Sequence, residues 1–567
     1  MSILVKLQAN SHPRSNINLF NNLSSKDIYG DISGGLTAAV IALPLALAFG
    51  VSSGAGAIAG IYSAILVGFF AALFGGTATQ ISGPTGPMSV VMALVLTQMI
   101  ANNPEHGLSL AFSCVILAGI FQIAFGLLKL GKYFVMVPYP VISGFMSGIG
   151  IIIILLQVSP LVGLTGYSNA LSALTKITDS VNHINISATI IGLISLTIMI
   201  YWPKKLAKLM PAPLFALVFL TLFNVLFLTE LNIPTIGEIP SGFPEIIIPS
   251  FSIDALYDVT YFAFLLAVLG SIDSLLTSMV ADTMTDTYHL SDKELIGQGI
   301  GNSIAGFFGA LPGAGATMRT AINIRAGGKT ALSGMTHSIA ILFITLWASD
   351  YAQFVPHAVL AGMLIKVGLD IIDWRFIGQI NRVGLFSAFL MLLVLLLTVF
   401  VDLITAVLVG MFIANLVTLD RLTTIQLDNI SFTKGADILQ NENTPIPSKI
   451  LSTTLLLAID GPVSFAVSRE LSRRFTENID FTTLIIDLSQ AKLIGTTTSV
   501  MIVDLVERTK TNGKQVLIIT GNDKINKSLH KLQLDTLLDK KCQFHYKEQA
   551  ILSLYPNDYH RDSDKSS

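Results

Sequence analysis

Apolar residues run in long blocks along the first three quarters of the chain, with short polar connections between them. Blocks of roughly 20 apolar residues predict membrane-spanning helices. They fall near 30–50, 57–74, 84–100, 109–128, 134–157, 185–201, 211–228, 258–280, 295–310, 314–325, 331–347, 354–371, 384–400 and 402–419. The pattern thus predicts fourteen spans, several of them short. From about residue 421 a polar linker containing TKGADILQNENTPIPSK leads into a different period. There LSTTLLLAIDGPVSF, FTTLIIDLS and KQVLIIT are short β-rich runs, separated by candidate helices at 464–477 and 496–512. Such alternation predicts a small α/β domain. The expected organisation is an N-terminal segment (1–28), a transmembrane domain (29–420), a linker (421–448), an α/β domain (449–555) and a disordered tail (556–567).

Composition agrees with a membrane protein. Of the 567 residues 52% are hydrophobic and 12% charged, against about 25% charged in soluble domains. A net charge of −2 argues against nucleic acid as a partner. Cys114 and Cys542 fall in a predicted span and a late polar region, so no disulfide is expected. The segment 1–28 is rich in Asn and Ser and leads into a run of spanning length, which reads as a retained first span. Lys129 and Lys132, then Lys204, Lys205 and Lys208, Lys293, Arg325 and Lys329, and finally Lys366, Arg375 and Arg382 lie in alternate connections. The stretch 229–257 carries Glu230, Glu238, Glu245 and Asp254 without Lys or Arg, and Lys176 is the main exception. By the positive-inside rule both termini are expected on the cytoplasmic side, which an even number of spans requires.

Two stretches break the apolar pattern at membrane depth. QISGPTGPM (80–88) packs two glycines and two prolines between spans, and LPGAGATMRT (311–320) does something similar. Irregular backbone inside a bilayer is tolerated where it is buried in protein or lines a wet cavity. A helix starting at Pro84, the residue type favoured in a first turn, would run 17 residues to Ile100. At 1.5 Å per residue that is about 25 Å, short of a ~30 Å hydrocarbon core. The helix after the second break, starting around Thr317, is shorter still. Each start would present free N–H groups and a partial positive charge to an anion. Either break alone reads equally well as a surface loop, but each follows an anomaly at matched spacing. Pro44 precedes Pro84 by 40 residues, and Asp273 precedes Gly315 by 42. Equivalent interruptions in two halves point to the central site of a transporter.

Asp273 in VLGSIDSLLTSMV is an acid inside a predicted span, where a charge costs about 2.5–3.5 kcal/mol on insertion scales. It needs a cation, a proton or a partner. Thr277 lies one turn on, on the same helix face, and adds a hard oxygen. Carboxylate, hydroxyl and carbonyl oxygens suit Na⁺, and protonation of the acid is the alternative. Arg319 either draws an anion toward the second break or faces the cytoplasm with Arg325. His337, His357 and Trp374 read as isolated polar or interfacial side chains. No nucleophile–base pair or metal-ligand spacing stands out, so an enzyme is not expected.

GDISGGLTAAVIALPLALAFG (30–50), QISGPTGPM (80–88) and GQGIGNSIAGFFGALPGAGATMRTAINIRAGGKTALSG (297–334) resemble the SulP family of sulfate-permease-like anion transporters, relatives of solute carrier family twenty-six. Residues 450–555 resemble the STAS module of that family, with AIDGPVSF and LIIDLSQAKLIGTTTSV in order. The resemblance implies an α-helical polytopic membrane protein with fourteen spans in two inverted seven-helix repeats. It further implies half-helices at spans three and ten, a core and a gate domain that exchange access in an elevator-like way, and a cytoplasmic STAS domain. GAGATM and IDSLLT point within the family to its sodium-dependent bicarbonate transporters. Carried over, Na⁺ would be held by Asp273, Thr277 and oxygens of Gly315 and Thr317, with no other cofactor. Bicarbonate would rest against Thr85, Gly86, Ala316 and Thr317, with Arg319 nearby. Arg319 matches an arginine of family members that carry sulfate or dicarboxylates, so H⁺-coupled or exchange transport of those anions is the alternative. A membrane-anchored STAS signalling protein is the third expectation. In the STAS-like region Gly495, Thr496 and Thr497 replace the acid and serine of phosphorylated relatives, which favours dimerisation or a scaffold over a phosphoswitch. A homodimer in a bacterial inner membrane is implied.

Overall fold

A computed structural model describes residues 27–554 except 135–136, 168–169, 177–183, 208–209, 229–230, 232, 238–245, 247–253, 402, 429, 435–452 and 464–480. The expected helix at 464–477, most of the segment 1–28 and the tail 556–567 lie outside the described residues. The chain divides near residue 411 into two compact units.

Each apolar block is helical. The first half contributes α1 (Ile28–Ser52), α2 (Ala57–Phe74), α3 (Gly86–Asn102), α4 (Gly107–Leu127), α5 (Tyr139–Leu161), α6 (Ile186–Tyr201) and α7 (Ala212–Phe227). The second contributes α8 (Leu256–Thr285), α9 (Ser291–Phe307), α10 (Thr317–Arg325), α11 (Ala331–Ala352), α12 (His357–Ile371), α13 (Leu385–Phe400) and α14 (Leu403–Asp428). Among the described residues six helices have the length and composition to cross a bilayer: α1, α2, α4, α5, α8 and the 405–427 part of α14. α3, α6, α7, α13 and the 331–347 part of α11 are apolar but shorter. Helix α10 has nine residues, about 14 Å at 1.5 Å per residue, so its backbone ends must be satisfied inside the protein.

Two sequence expectations are corrected. Pro44 does not interrupt the first span; α1 continues through it, with Pro44 buried, because a packed bundle tolerates the lost N–H bond that would break an isolated helix. Pro84 does not start the helix after the first break. It ends a short strand, β1 (Ser82–Pro84), and α3 begins at Gly86 with Pro87 in its first turn. Pro87 takes the place where a missing N–H costs nothing.

The sequence shows no sign that the two breaks pair with each other. β1 lies antiparallel to β2 (Gly313–Gly315), with Ser82 opposite Gly315, Gly83 opposite Ala314 and Pro84 opposite Gly313. Side chains satisfy what the two strands leave open. Asn302 of α9 accepts from the Gly313 N–H at 2.7 Å and donates to its carbonyl at 3.0 Å. Ser274 of α8 accepts from the Gly315 N–H at 3.1 Å, and Thr320 accepts from the Ile81 N–H at 3.0 Å. Asn302 also donates to Gln122 of α4 at 2.8 Å. Replacing Asn302 by leucine leaves the Gly313 donor and acceptor buried and unpaired, each costing about 1–3 kcal/mol. Thermal unfolding of the purified N302L protein is therefore expected at a clearly lower temperature than wild type.

Helices α4 and α9 approach closely enough to exclude side chains. A Cβ added to Gly299 would lie 2.5 Å from the Gly119 carbonyl oxygen, the small-residue contact that lets membrane helices pack backbone to backbone. Helices α1–α4 pack with α8–α11, while α5, α6, α7, α12 and α13 pack with one another.

The second unit holds a five-stranded sheet ordered β3–β4–β6–β8–β9. Its strands are β3 (Ile430–Lys434), β4 (Thr454–Ile459), β6 (Thr483–Asp487), β8 (Gln515–Ile519) and β9 (Gln543–Phe544). A separate pair joins β5 (Gly461–Val463) to β7 (Ala491–Ile494). The three central strands are parallel, and buried Leu457, Ile486 and Ile518 face helix α15 (Thr496–Thr511) through Ile502 and Val506. Parallel strands buried on both faces are expected to be continuously apolar, and TLLLAI and TLIID are largely so. The expected linker at 421–448 begins as ordered structure, since α14 continues to Asp428 and β3 pairs antiparallel with β4. ISFTK carries apolar residues only at alternate positions, and its strand forms because β4 offers an edge.

Candidate functional site

Helices α3 and α10 both begin where the strand pair ends. Thr85 precedes α3 in an extended conformation, at φ −121° and ψ 161°, and Ala316 precedes α10 in the same way, at φ −102° and ψ 103°. The Thr85 hydroxyl does not cap its own helix. It donates to Asp273 Oδ2 at 2.9 Å, which leaves the start of α3 to other partners. One turn along α8 the Thr277 hydroxyl donates to the Gly315 carbonyl at 2.9 Å and meets the Thr317 hydroxyl at 2.8 Å. Thr85, Gly86, Asp273, Thr277, Gly315 and Ala316 are buried, whereas Thr317 is exposed.

Asp273 and Arg319 are therefore neighbours through one short segment. Arg319 is 2% exposed, and its Nη2 donates to the Pro84 carbonyl oxygen. Nη1 is buried with no partner. Of the two alternatives for Arg319, the one that places it outward beside Arg325 does not hold: Arg325 is exposed and Arg319 is folded inward against β1. A guanidinium can be buried here because Gly83 makes room for it. A Cβ on Gly83 would come within 2.9 Å of Nη1.

The fold thus brings the sequence-derived residues into two adjoining groups. One is Thr85, Asp273 and Arg319 around the end of β1. The other is Thr277, Gly315 and Thr317, a cluster of two hydroxyls and a carbonyl one helical turn from the Asp273 carboxylate. Hard oxygen donors of this kind match a hard cation rather than a soft metal. Among the described residues no group of three His, Cys, Asp or Glu side chains could hold a metal ion.

Sequence reading missed a second buried acid. Glu294 is 1% exposed, and its carboxylate accepts four N–H groups. Oε2 accepts from the backbone of Gly76 at 2.8 Å and Thr77 at 2.9 Å; Oε1 accepts from Gln80 Nε2 and Gln298 Nε2, each at 2.8 Å. Gln298 reaches on to Ser82 at 2.6 Å, and Ser278 donates to Gln80 at 3.0 Å. This network holds the chain that enters β1. Its one sequence signal was the spacing of Glu294, Gln298 and Asn302, three polar residues at successive i, i+4 positions of α9. Asp31 is a further buried acid, fully covered, accepting from the backbone of Lys329 at 2.7 Å and from the backbone of Thr330 at 2.9 Å. His337 is buried with neither ring nitrogen bonded.

Known proteins resemble this chain in sequence and fold. The profile of the Sulfate permease family matches residues 28–394, and that of the STAS domain matches residues 445–549. The bicarbonate transporter BicA of Synechocystis sp. is 42% identical over 518 residues, which cover 89% of this chain and 91% of that protein. A solved transmembrane domain of a cyanobacterial BicA is 49% identical, with a TM-score of 0.65 over 68% of this chain and 99% of that one. The murine Solute Carrier 26 family member A9 anion transporter, in its inward-facing state, is 19% identical with a TM-score of 0.79 over 97% of both chains. That last likeness is one of fold. A profile spanning well over half of the chain, and relatives this similar along nearly all of it, leave one conclusion: the chain belongs to the sulfate permease family, as a helical membrane transporter with a C-terminal STAS domain.

Proposed function

We propose that this protein is a secondary active transporter that couples Na⁺ entry to uptake of bicarbonate across a bacterial inner membrane. The observation that carries the proposal is the joining of Thr85 to Asp273 beside the oxygens of Thr277, Gly315 and Thr317. The anion would sit against Thr85, Gly86, Ala316 and Thr317, where two helix starts supply partial positive charge without a mobile lysine. Na⁺ would be held by Asp273, Thr277, Gly315 and Thr317. The relatives named BicA, described as bicarbonate transporters, support this choice of cargo.

Coupling follows from charge. An ionised Asp273 beside the anion site repels the anion by about 1 kcal/mol at 4 Å in water and about 4 kcal/mol at an effective dielectric of 20. A cation on the neighbouring oxygens removes that repulsion, so each ion favours binding of the other. The alternate access this needs would come from motion between two helix groups. α1–α4 with α8–α11 form the core that carries both half-helices, and α5–α7 with α12–α14 form the gate. The packing of α1–α4 with α8–α11, and of α5, α6, α7, α12 and α13 with one another, supports the division, with α1 and α3 meeting the second group where the two adjoin. We assign fourteen spans in two inverted repeats, cytoplasmic termini, and a homodimer formed partly through the STAS domain.

Arg319 favours a second reading. A buried guanidinium with a free Nη1 at the end of β1 suits a divalent anion, sulfate or a C4-dicarboxylate, driven by H⁺. Flux into liposomes separates the two. With the purified protein, labelled bicarbonate uptake is expected to fall at least ~10-fold when K⁺ replaces Na⁺, within the 5–150-fold range of typical site couplings. Uptake indifferent to Na⁺ rejects the coupling. Sulfate that outcompetes bicarbonate at equal concentration transfers the assignment to the second reading.

A further inference from the structure

A cavity of about 500 Å³ is lined by Ser52, Thr97, Gln157, Thr165, His357 and Leu364, among others. It adjoins a small constriction whose lining includes Phe49, Gly86, Ser89, Ile153 and again Gln157. The two share Ser52, Leu156, Gln157 and Leu364, so together they run from the ends of α1 and α3 down to the start of α3. Gly86 at the bottom is covered by apolar side chains. A Cβ placed there would lie 2.8 Å from Ile153 Cδ1 and 2.9 Å from Ile371 Cδ1. Ile153 and Gln157 are one turn apart on α5, hence on one face of it.

Gln157 stands out within this passage. It is 6% exposed, lines both spaces, and makes no hydrogen bond among the described residues. The hydroxyls nearby are committed: Ser52 donates to the Phe49 carbonyl at 3.2 Å, Ser89 to the Thr85 carbonyl at 2.8 Å, and Thr97 to the Ala93 carbonyl at 2.8 Å. An amide so buried normally finds a partner. The Gln157 side chain lines a space that ends at a helix start suited to anions.

We propose that Gln157 is a specificity-determining residue that donates a hydrogen bond to a small oxyanion between the cavity and Gly86. The amide would replace part of the anion's hydration as it leaves the wide cavity, before Ile153 and Phe49 admit it to the start of α3. Because Gln157 lies on α5 and the half-helices lie on the other helix group, this contact also marks the state in which the passage is open. The inference rests on the reading that the anion binds at Gly86.

The test compares full-length Q157L, Q157E and Q157N with wild type in liposomes, from initial uptake rates at varied anion concentration. One hydrogen bond to a charged group corresponds to roughly a tenfold change in affinity. Q157L is therefore expected to raise KM for bicarbonate about tenfold with Vmax within twofold. Q157E, of the same size but repelling anions, should raise it further, and Q157N should fall between wild type and Q157L. The ratio of bicarbonate to sulfate uptake should shift in Q157L, while the Na⁺ activation ratio should stay at its wild-type value. An unchanged KM in both Q157L and Q157E overturns the proposal, as does a lowered Vmax at constant KM, which is the signature of a merely structural residue. If wild type carries sulfate rather than bicarbonate, the same KM comparison made with sulfate decides the role of Gln157, and only the cargo assignment falls.

Discussion

Asp273→Asn is expected to abolish Na⁺-dependent uptake while leaving the protein folded. The asparagine carbonyl can still accept from the Thr85 hydroxyl, which sits 2.9 Å from the native carboxylate, so the local packing survives. What disappears is the charge that the cation needs. Losing a charge-assisted contact of about 2–3 kcal/mol lowers affinity for Na⁺ by roughly 100-fold. Uptake of labelled bicarbonate at ordinary Na⁺ concentrations should therefore approach that of empty liposomes. Thermal unfolding of D273N should stay close to wild type, since the Thr85 contact is kept and the cost of burying one ion is removed, which offsets the charge lost beside Arg319. A D273N protein that still responds fully to Na⁺ would place the cation elsewhere.

Glu294→Ala should show the converse pattern. Its carboxylate collects two backbone and two side-chain N–H donors that approach from residues 76–80 and 298. Truncation leaves those donors in a cavity without an acceptor, and breaking a buried charged contact of this kind costs about 3–5 kcal/mol. E294A is expected to unfold at markedly lower denaturant concentration and to reach the membrane in smaller amounts. Uptake per folded molecule should stay near wild type, because Glu294 braces the entry to β1 and is not among the proposed ligands of either ion. Glu294→Gln is expected to be destabilised as well, since its NH₂ group would face donors. Loss of specific uptake in E294A at unchanged stability would instead make Glu294 part of the ion pathway.

The contrast between these two acids shows how far the chain could be read before folding. Asp273 was legible because it sits in an apolar block, where a charge has no local excuse. Glu294 was not, because it lies at the polar start of α9, where an acid in a helix's first turn is ordinary. Its importance comes from Gly76, Thr77 and Gln80, more than 200 residues away. Arg319 fell between these cases. Its closeness to the second break was visible, but the choice between cytoplasm and interior depended on the Pro84 carbonyl and on the space left by Gly83.

Local pattern alone established the helical blocks, the two glycine- and proline-rich breaks, the acid in the apolar block at Asp273, and the change to an α/β period near the C-terminus. Hydrophobic periodicity and helix-breaking residues act over one or two turns, so they survive in a linear reading. Only the folded chain decided that the breaks pair as β1 and β2, that Asn302 and Ser274 close their open backbone groups, that Pro44 stays helical, and that Gln157 lines the cavity beside Gly86. Each of those facts depends on a partner far away in sequence, or on the lack of one. A buried hydrogen bond is specified by both of its ends, and one end by itself says little about where the other will be.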